Sequence, residues 1–212
     1  MVQTAEFWDK SAERYAKSAI RDEAAYQEKL KITQGYFKPD MQVLEIACGT
    51  GTTAIAHAPY VKHILAIDIS SKILEIAQHK ANAENLSNIS FEQSTVEEFK
   101  ATDQSFDVVM GHNILHLLDN PGAAVSKVYG LLKPGGVFVT TTACLGDSKS
   151  WWRIALPIGI FFRKIPYVNI LTRKDLEGHF SNAGFEIDYQ WERRKKQAAF
   201  IIARKPSAEI QS

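Results

Sequence analysis

The stretch Val43-Leu44-Glu45-Ile46-Ala47-Cys48-Gly49-Thr50-Gly51-Thr52-Thr53-Ala54 decides the fold of this 212-residue chain. Its beginning is apolar apart from Glu45 and predicts a short buried strand, after which Gly49-x-Gly51-x-x-Ala54 turns into a helix. Glycines at this spacing permit a tight turn, close approach of the backbone to a ligand, and close packing of helix on strand. The stretch therefore predicts a nucleotide-type cofactor loop in an α/β domain.

Strand and helix patterns alternate along the rest of the chain. Short apolar or β-branched runs predict strands at residues 42–46, 63–67, 88–91, 106–110 and 137–142. Helical periodicity predicts one or two helices within residues 4–35 and further helices at 70–85, 121–132 and 172–183. Two strand-like runs then follow each other at 185–191 and 198–204, which is typical of an antiparallel hairpin. We therefore predict a single doubly wound, mostly parallel sheet with helices on both faces and a C-terminal antiparallel hairpin.

Composition and charge argue against several classes of protein. The chain is 45% hydrophobic and 23% charged with a net charge of +1, so it has no overall attraction to nucleic acid. Its two cysteines, Cys48 and Cys144, lack metal-ligand spacing, and the sequence shows no Asp/Asn cluster for a metal, which predicts no metal site. The N-terminus has no signal-peptide pattern, and we expect a cytoplasmic protein.

Two acidic residues flank the glycine loop. Asp68 ends the second predicted strand, where a carboxylate would accept hydrogen bonds from a ribose diol in either a nicotinamide or an adenosylmethionine enzyme. Glu45 precedes the loop, where it would repel the pyrophosphate of a dinucleotide but attract the ammonium and sulfonium of S-adenosylmethionine. The alternative is that Glu45 only caps the backbone or is solvated.

Further motifs join the loop in a resemblance to a known family. Residues 43–51 closely resemble the first motif of class I S-adenosylmethionine-dependent methyltransferases. Later motifs of that family resemble Ile67-Asp68-Ile69-Ser70, Phe106-Asp107-Val108-Val109 with His112-Asn113-Ile114-Leu115-His116, and Leu131-Leu132-Lys133-Pro134-Gly135-Gly136. The resemblance covers roughly residues 5–145, and more loosely the C-terminal helix and hairpin. It is to the small-molecule branch that is similar to ubiquinone and menaquinone biosynthesis enzymes.

This resemblance implies a Rossmann-like methyltransferase fold and one methyltransferase domain over residues 1–212. Its implied parts are an N-terminal helical cover at 1–38, a cofactor-binding core at 39–145, a substrate lid insert at 146–175, and a C-terminal helix and hairpin at 176–205. It further implies that S-adenosylmethionine is the cofactor. The implied reaction is transfer of its methyl group to a small, apolar or aromatic molecule at an O, N, S or C atom.

The resemblance also implies where the cofactor binds. Asp68 matches the acid that binds the ribose, and Thr95 stands where many relatives place an Asp against the adenine amino group. Tyr15 lies on a leading segment, Phe7-Trp8-Asp9-x-x-Ala12-x-x-Tyr15, that resembles the helix covering the cofactor; its alternative is to pack on the sheet. The residues expected to bind cofactor are Tyr15, Glu45, Ala47, Cys48, Gly49, Thr50, Gly51, Asp68, Ile69, Thr95, Val96, Glu97, His112 and Asn113.

Two histidines follow the fourth predicted strand and are the candidate catalytic residues. His112 and His116 come at the edge of a parallel sheet where ligands bind, and their spacing of four would place them on one face of a helical turn. A histidine there could act as general base for an acceptor that arrives protonated, such as a phenol or alcohol. The alternative is that both only pack against the cofactor or donate hydrogen bonds.

Residues 148–174 have an unusual composition, with six Lys or Arg, no Asp or Glu, and two adjacent tryptophans at Trp151 and Trp152. The segment lies at the position where the resembling family varies its substrate lid. It therefore predicts a mobile lid over an apolar acceptor. The alternatives are a static helical insert and a transient contact of the same basic, aromatic segment with a membrane surface.

Three other functions stay open at this point. An NAD(P)-dependent oxidoreductase would use the same glycine loop, and a cofactor-binding protein without catalysis would need no histidine. A nucleic-acid methyltransferase is disfavoured, because the charge is balanced and no Asn/Asp-Pro-Pro-aromatic motif follows the fourth strand. We therefore expect a small-molecule substrate and no nucleic-acid partner, and the sequence implies no particular oligomeric state.

Overall fold

The computed structural model describes residues 2–147, 167–191 and 198–207. By internal contacts the chain divides into two compact units, residues 1–99 and 100–212. The single domain implied by the family resemblance stays a prediction.

The first unit contains four α-helices and three strands in its described part. In chain order they are α1 (Val2–Ala16), α2 (Glu23–Gln34), β1 (Gln42–Ile46), α3 (Thr52–His57), β2 (His63–Asp68), α4 (Ser71–Ala83) and β3 (Ile89–Gln93). The strands are parallel and lie in the order β3-β2-β1. The N-terminal helical pattern therefore forms two helices, and the strand and helix alternation is confirmed.

Local sequence explains why these elements form. The sequence predicts Ser70 or Ser71 as the N-cap of α4, with Ile73, Leu74, Ala77 and Ala81 on one face of the helix. Ser70 is the cap, because its side chain accepts a hydrogen bond from the backbone N–H of Ile73 at 3.2 Å. Ile73, Leu74, Ala77 and Ala81 form the buried face of that helix. Burial of each large apolar side chain contributes about 1.5–3 kcal/mol, so packing rather than propensity holds the helix in place.

The second unit contains two α-helices and four strands in its described part. In chain order they are β4 (Phe106–His112), α5 (Pro121–Leu131), β5 (Leu132–Ala143), α6 (Arg173–Ala183), β6 (Glu186–Trp191) and β7 (Ala198–Arg204). β4 is parallel to β5, whereas β7 is antiparallel to both β5 and β6. The C-terminal hairpin is confirmed, and with it the predicted class of mostly parallel sheet with flanking helices.

The start of β5 differs from the prediction. The sequence predicts a turn at 133–136 before a strand beginning at Val137, but the strand already begins at Leu132, which pairs with Phe106. The register then jumps to the pair Val108 and Val137, so the intervening residues form an irregularity inside the strand. Gly136 is required there, because a Cβ on it would lie 2.9 Å from two backbone carbonyl oxygens.

Most of the predicted lid, residues 148–166, lies outside the described residues. The lid, the static insert and the membrane contact therefore stay predictions. The two ends of the segment are described and meet, because the N–H of Gly146 donates to the carbonyl of Leu171 at 2.8 Å. A second hydrogen bond joins the N–H of Arg173 to Asp147 at 2.9 Å. In the three described ranges, no helix has both the length and the hydropathy that crossing a membrane requires.

Candidate functional site

The glycine loop turns sharply over the end of β1. Ala47, Gly49 and Gly51 all have positive φ, at 52°, 56° and 72°. The N–H of Cys48 donates to the carbonyl of Ile67 at 2.9 Å, which ties the loop to the end of β2. Ala47 is a non-glycine residue in the left-handed region, and such strain concentrates at functional sites.

The two glycines of the loop serve different purposes. A Cβ on Gly49 would lie 3.3 Å from Cε1 of Tyr15, so the absence of a side chain lets the Tyr15 ring approach the loop closely. A Cβ on Gly51 would lie 2.9 Å from the Cβ of Ala77 and 3.3 Å from the ring of Phe91. Gly51 thus permits close packing against α4 and β3, whereas Gly49 permits close packing of Tyr15 from α1. Binding of cofactor by Gly51 remains a prediction.

Asp68 holds the loop as well as being available to a ligand. Its Oδ2 accepts from the N–H of Gly49 at 2.9 Å, and its Oδ1 accepts from the N–H of Ser70 at 3.0 Å. The pKa of Asp68 is raised, chiefly by burial and also by the charge of Asp9. The backbone donors, which include Ile69, act in the opposite direction and lower it. A carboxylate has about four acceptor positions, so three backbone donors leave capacity for one ribose hydroxyl.

Glu45 is the more deeply buried acid of the pair. In the parallel register it lies beside Ala66, two residues before Asp68, so both carboxylates extend from the same face of the sheet. Glu45 is only 3% exposed, which excludes the solvated alternative, and its Oε2 has no hydrogen-bond partner among the residues that the structure describes. Burial raises its pKa to about 8, with the Ala54 N–H lowering it and Asp68 raising it.

Tyr15 extends from α1 into this acidic site. Its ring makes an edge contact with Trp8, at a centroid distance of 5.7 Å, and stays 46% exposed. Burial of the hydroxyl and the charges of Asp68, Glu45 and Cys48 raise the pKa of Tyr15. Tyr15, Glu45, Cys48 and Asp68 are therefore brought together around Gly49.

Sequence reasoning missed the residue that fastens α1. The hydroxyl of Ser70 donates to Oδ1 of Asp9 at 2.6 Å, and the N–H of Lys72 approaches the same oxygen at 3.3 Å. Asp9 thereby anchors α1 at the N-terminus of α4, fewer than two helical turns before Tyr15. Asp9 lies within the quoted leading motif, which was the available signal, but its partners are more than 60 residues away.

Thr95, which is expected to face the adenine, forms its side-chain hydrogen bonds within its own turn. The hydroxyl of Thr95 accepts from the N–H of Glu98 at 3.0 Å and donates to its carboxylate at 3.2 Å. Val96 is buried and Glu97 is exposed. Thr95 therefore stabilises its own turn, and its contact with adenine stays a prediction. Thr50, elsewhere in the loop, is buried and accepts from the ammonium of Lys80 at 3.1 Å.

The histidines belong to the second unit. His112 ends β4 with Nδ1 3.1 Å from the hydroxyl of Thr141 on β5, and the N–H of Asn113 donates to the Thr141 carbonyl at 2.7 Å. His116 lies in a short 3₁₀ turn, and the N–H of Asn169 donates to its carbonyl at 2.7 Å. The expected shared helical face is wrong, because His112 is in a strand.

His116 is suited to be an uncharged base. Burial lowers its pKa, so the imidazole is neutral at physiological pH. Its Nδ1 is buried and has no hydrogen-bond partner in the described ranges of the chain. A neutral imidazole with an uncommitted nitrogen is the form that can take a proton from an acceptor.

The first unit fits a cationic cofactor. Glu45 and Asp68 are buried at the glycine loop, and Oε2 of Glu45 lacks a hydrogen-bond donor among the described residues. An ammonium or sulfonium would supply the missing positive charge, whereas a pyrophosphate would add repulsion. No group of three or more His, Cys, Asp or Glu side chains within the described ranges is arranged to hold a metal ion.

Comparison with known proteins gives a consistent result. A family model described as a methyltransferase domain matches residues 37–186, more than two thirds of the chain. The chain is 31% identical over 136 residues to the uncharacterized methyltransferase YcgJ of Bacillus subtilis, covering 62% of this chain and 52% of that protein. It thus spans about half the length of that relative.

In two further matches the chain covers a larger share of the other protein. The chain is 28% identical over 220 residues to the demethylmenaquinone methyltransferase of Symbiobacterium thermophilum, covering 87% of this chain and 86% of that protein. Geranyl diphosphate C-methyltransferase of Streptomyces coelicolor, crystallised with Mg²⁺, geranyl diphosphate and S-adenosylhomocysteine, matches with a TM-score of 0.70. That match has 15% identity over 86% of this chain and 79% of the other, and at this identity it shows the fold alone.

Proposed function

Because the chain belongs to the class I S-adenosylmethionine-dependent methyltransferase family, we propose that it methylates a small apolar or aromatic molecule. S-adenosylmethionine is the family's cofactor, and when bound it supplies an electrophilic methyl group. The acceptor atom in this proposal is an O, N, S or C atom of the small molecule. An oxidoreductase function has no support among the relatives.

One observation carries the proposal: Glu45 and Asp68 are buried together at the glycine loop, and Oε2 of Glu45 has no hydrogen-bond partner among the described residues. A site for a dinucleotide would need to accept a doubly negative pyrophosphate at a helix N-terminus, and Glu45 would oppose it. A cofactor with an ammonium and a sulfonium is instead stabilised there. The charge of the site therefore favours adenosylmethionine over NAD.

Named residues supply the binding of cofactor in this proposal. Asp68 accepts hydrogen bonds from the ribose hydroxyls, Glu45 faces the cationic end, and Tyr15 covers the loop from α1. The remaining expected cofactor contacts are Ala47, Cys48, Gly49, Thr50, Gly51, Ile69, Thr95, Val96, Glu97, His112 and Asn113. Exclusion of water and alignment of the acceptor supply most of the rate, because methyl transfer to a neutral nucleophile develops no new net charge.

Of the two histidines, we propose His116 as the base and His112 as a positioning residue. His112 is paired with the Thr141 hydroxyl, while Nδ1 of His116 has no hydrogen-bond partner. A base is needed only for an acceptor whose O–H or N–H must lose a proton. This choice therefore favours a phenol, enol or similar protonated acceptor.

The name of one relative supports an apolar acceptor, because that relative is a demethylmenaquinone methyltransferase. We propose a small molecule rather than nucleic acid as the partner, because the net charge is only +1. A cytoplasmic site of action is part of the proposal, supported by the free thiols of Cys48 and Cys144. Transient membrane contact through 148–174 would suit such an acceptor.

Two experiments test the proposed function. Calorimetry with adenosylhomocysteine and with NAD should show binding of the first alone; binding of NAD alone would overturn the cofactor assignment. A methyl-transfer screen with labelled adenosylmethionine across phenols, quinols and small amines should then yield a labelled product. Binding without transfer to any acceptor class would instead favour a cofactor-binding protein without catalysis.

A further inference from the structure

The two buried carboxylates of the first unit have unequal hydrogen bonding. Asp68 accepts from the backbone N–H groups of Gly49 and Ser70, at 2.9 and 3.0 Å. Glu45 has a backbone donor in Ala54, and its Oε2 has no partner at all. Backbone donors stabilise a carboxylate anion, so a proton shared between these two acids belongs on Glu45.

The ionisable groups that act on Glu45 within the described residues raise the cost of its negative charge. Those that interact with it electrostatically are Asp68 on β2, Tyr15 on α1, Tyr26 on α2, and Cys48 in the loop. All four are acids, and none can become a cation. Burial raises the pKa of Glu45 to about 8, so in the cofactor-free protein its carboxyl group is mostly neutral at pH 7.

We propose that Glu45 carries a proton in the cofactor-free protein and releases it when the cofactor binds, so that cofactor binding expels one proton. This inference rests on the proposed function, because the ligand must bring a positive charge next to Glu45. The ammonium of adenosylmethionine or adenosylhomocysteine is that charge, and the sulfonium of adenosylmethionine adds a second. The O–H bond of the Glu45 carboxyl group breaks, its proton passes to solvent, and the carboxylate remains paired with the ligand cation.

The proton release gives binding a defined pH dependence. A ligand that binds with loss of one proton gains affinity as pH rises, by about tenfold per pH unit. This rise should hold from the lower pKa of Glu45 in the complex up to about pH 8, where the free protein itself ionises. Above that pH the affinity should no longer depend on Glu45.

Calorimetry in buffers of different ionisation enthalpy measures the released protons directly. Adenosylhomocysteine would be titrated into the full chain at pH 7 in phosphate and in Tris, which avoids turnover. We expect about one proton released per site for the natural protein. Glu45→Gln, which resembles the neutral acid in size and shape, should release about one proton fewer. The surface variant Glu75→Gln, which removes an exposed partner of Lys72, should behave like the natural protein.

The pH dependence of the natural protein gives a second test that needs no variant. Adenosylhomocysteine affinity should rise between pH 6 and pH 8. If adenosylhomocysteine binds without proton release and with pH-independent affinity, the proton coupling is overturned while the proposed function stands. If neither adenosylhomocysteine nor adenosylmethionine binds at any pH, the proposed function itself fails.

Discussion

The glycine loop of the first unit and residues 112–116 of the second unit hold their polar side chains in different ways. Around Gly49, backbone hydrogen bonds and burial fix two acids, and the groups that interact with Glu45 provide no cation. At the end of β4, His112 lies within hydrogen-bond distance of the Thr141 hydroxyl, and the carbonyl of His116 accepts from the N–H of Asn169. The difference indicates that recognition of a cationic ligand is built into the first region. The second supplies polar groups that suit many acceptors.

The largest expected effect concerns the cost of burying Glu45. Its folded-state pKa lies above the ordinary value, so the acid destabilises the folded protein increasingly as pH rises from 4.5 to about 8. Glu45→Gln should therefore raise the free energy of unfolding at pH 8, by at most about 5 kcal/mol, and change little below pH 4.5. Urea denaturation of the cofactor-free protein at both pH values measures this. Equal stability at pH 8 would mean that Glu45 is not strained by burial.

The next prediction compares Gly51, which is tightly packed in the glycine loop, with Gly178, which lies on an open helix surface in the second unit. Gly51→Ala should lower the free energy of unfolding by about 3 kcal/mol, because φ is 72° and the new Cβ meets Ala77 at 2.9 Å. Gly178→Ala in α6 is the matched control, with no atom within 4 Å of its Cβ. It should instead stabilise by about 0.5–1 kcal/mol. A harmless Gly51→Ala would refute the packing explanation.

His116 provides the corresponding test of the second region. With an acceptor identified, His116→Gln should lower kcat about 100-fold or more, leaving adenosylhomocysteine affinity unchanged. Burial lowers the pKa of His116, so activity should persist below pH 6.5 and fall only as pH passes the lowered pKa. The pH profile of the His116→Gln variant should lack this fall in activity at low pH. His112→Gln is the comparison, and equal loss of kcat in both variants would contradict the choice of His116.

Cofactor affinity should depend on Asp68 far more than on His116. Asp68→Ala removes charge-assisted hydrogen bonds worth about 1.5–3 kcal/mol each, so adenosylhomocysteine should bind at least about tenfold more weakly. Calorimetry on Asp68→Ala and His116→Ala makes the comparison directly. Similar affinity in the two variants would remove Asp68 from the ribose site.

The smallest effect tests whether the hydrogen bond between Asp9 and Ser70, which anchors α1, supports cofactor binding at the glycine loop. Asp9→Asn weakens the contact with the Ser70 hydroxyl and should reduce adenosylhomocysteine affinity about fivefold, corresponding to about 1 kcal/mol. Glu13→Gln, on the same helix and paired only with exposed Lys17, should bind normally. Normal binding by Asp9→Asn would show that α1 reaches Gly49 without this hydrogen bond.

The features predicted correctly from sequence are those with local causes. The Ser70 cap, the buried face of α4, and the C-terminal hairpin all follow from residues near one another in the chain. The purpose of Gly51 could not be predicted, because Ala77 and Phe91 approach it only in the folded unit. The Asp9 anchor and the depth of Glu45 depend likewise on distant chain segments. The shared helical face of the histidines failed because β4 continues through His112.

A crystal structure of the full chain with adenosylhomocysteine tests the central claim most directly. We expect the ligand against the glycine loop at Gly49, with its ribose hydroxyls within hydrogen-bond distance of Asp68 and its ammonium near Glu45. Adenosylhomocysteine bound without contact to Gly49 or Asp68 would contradict the account.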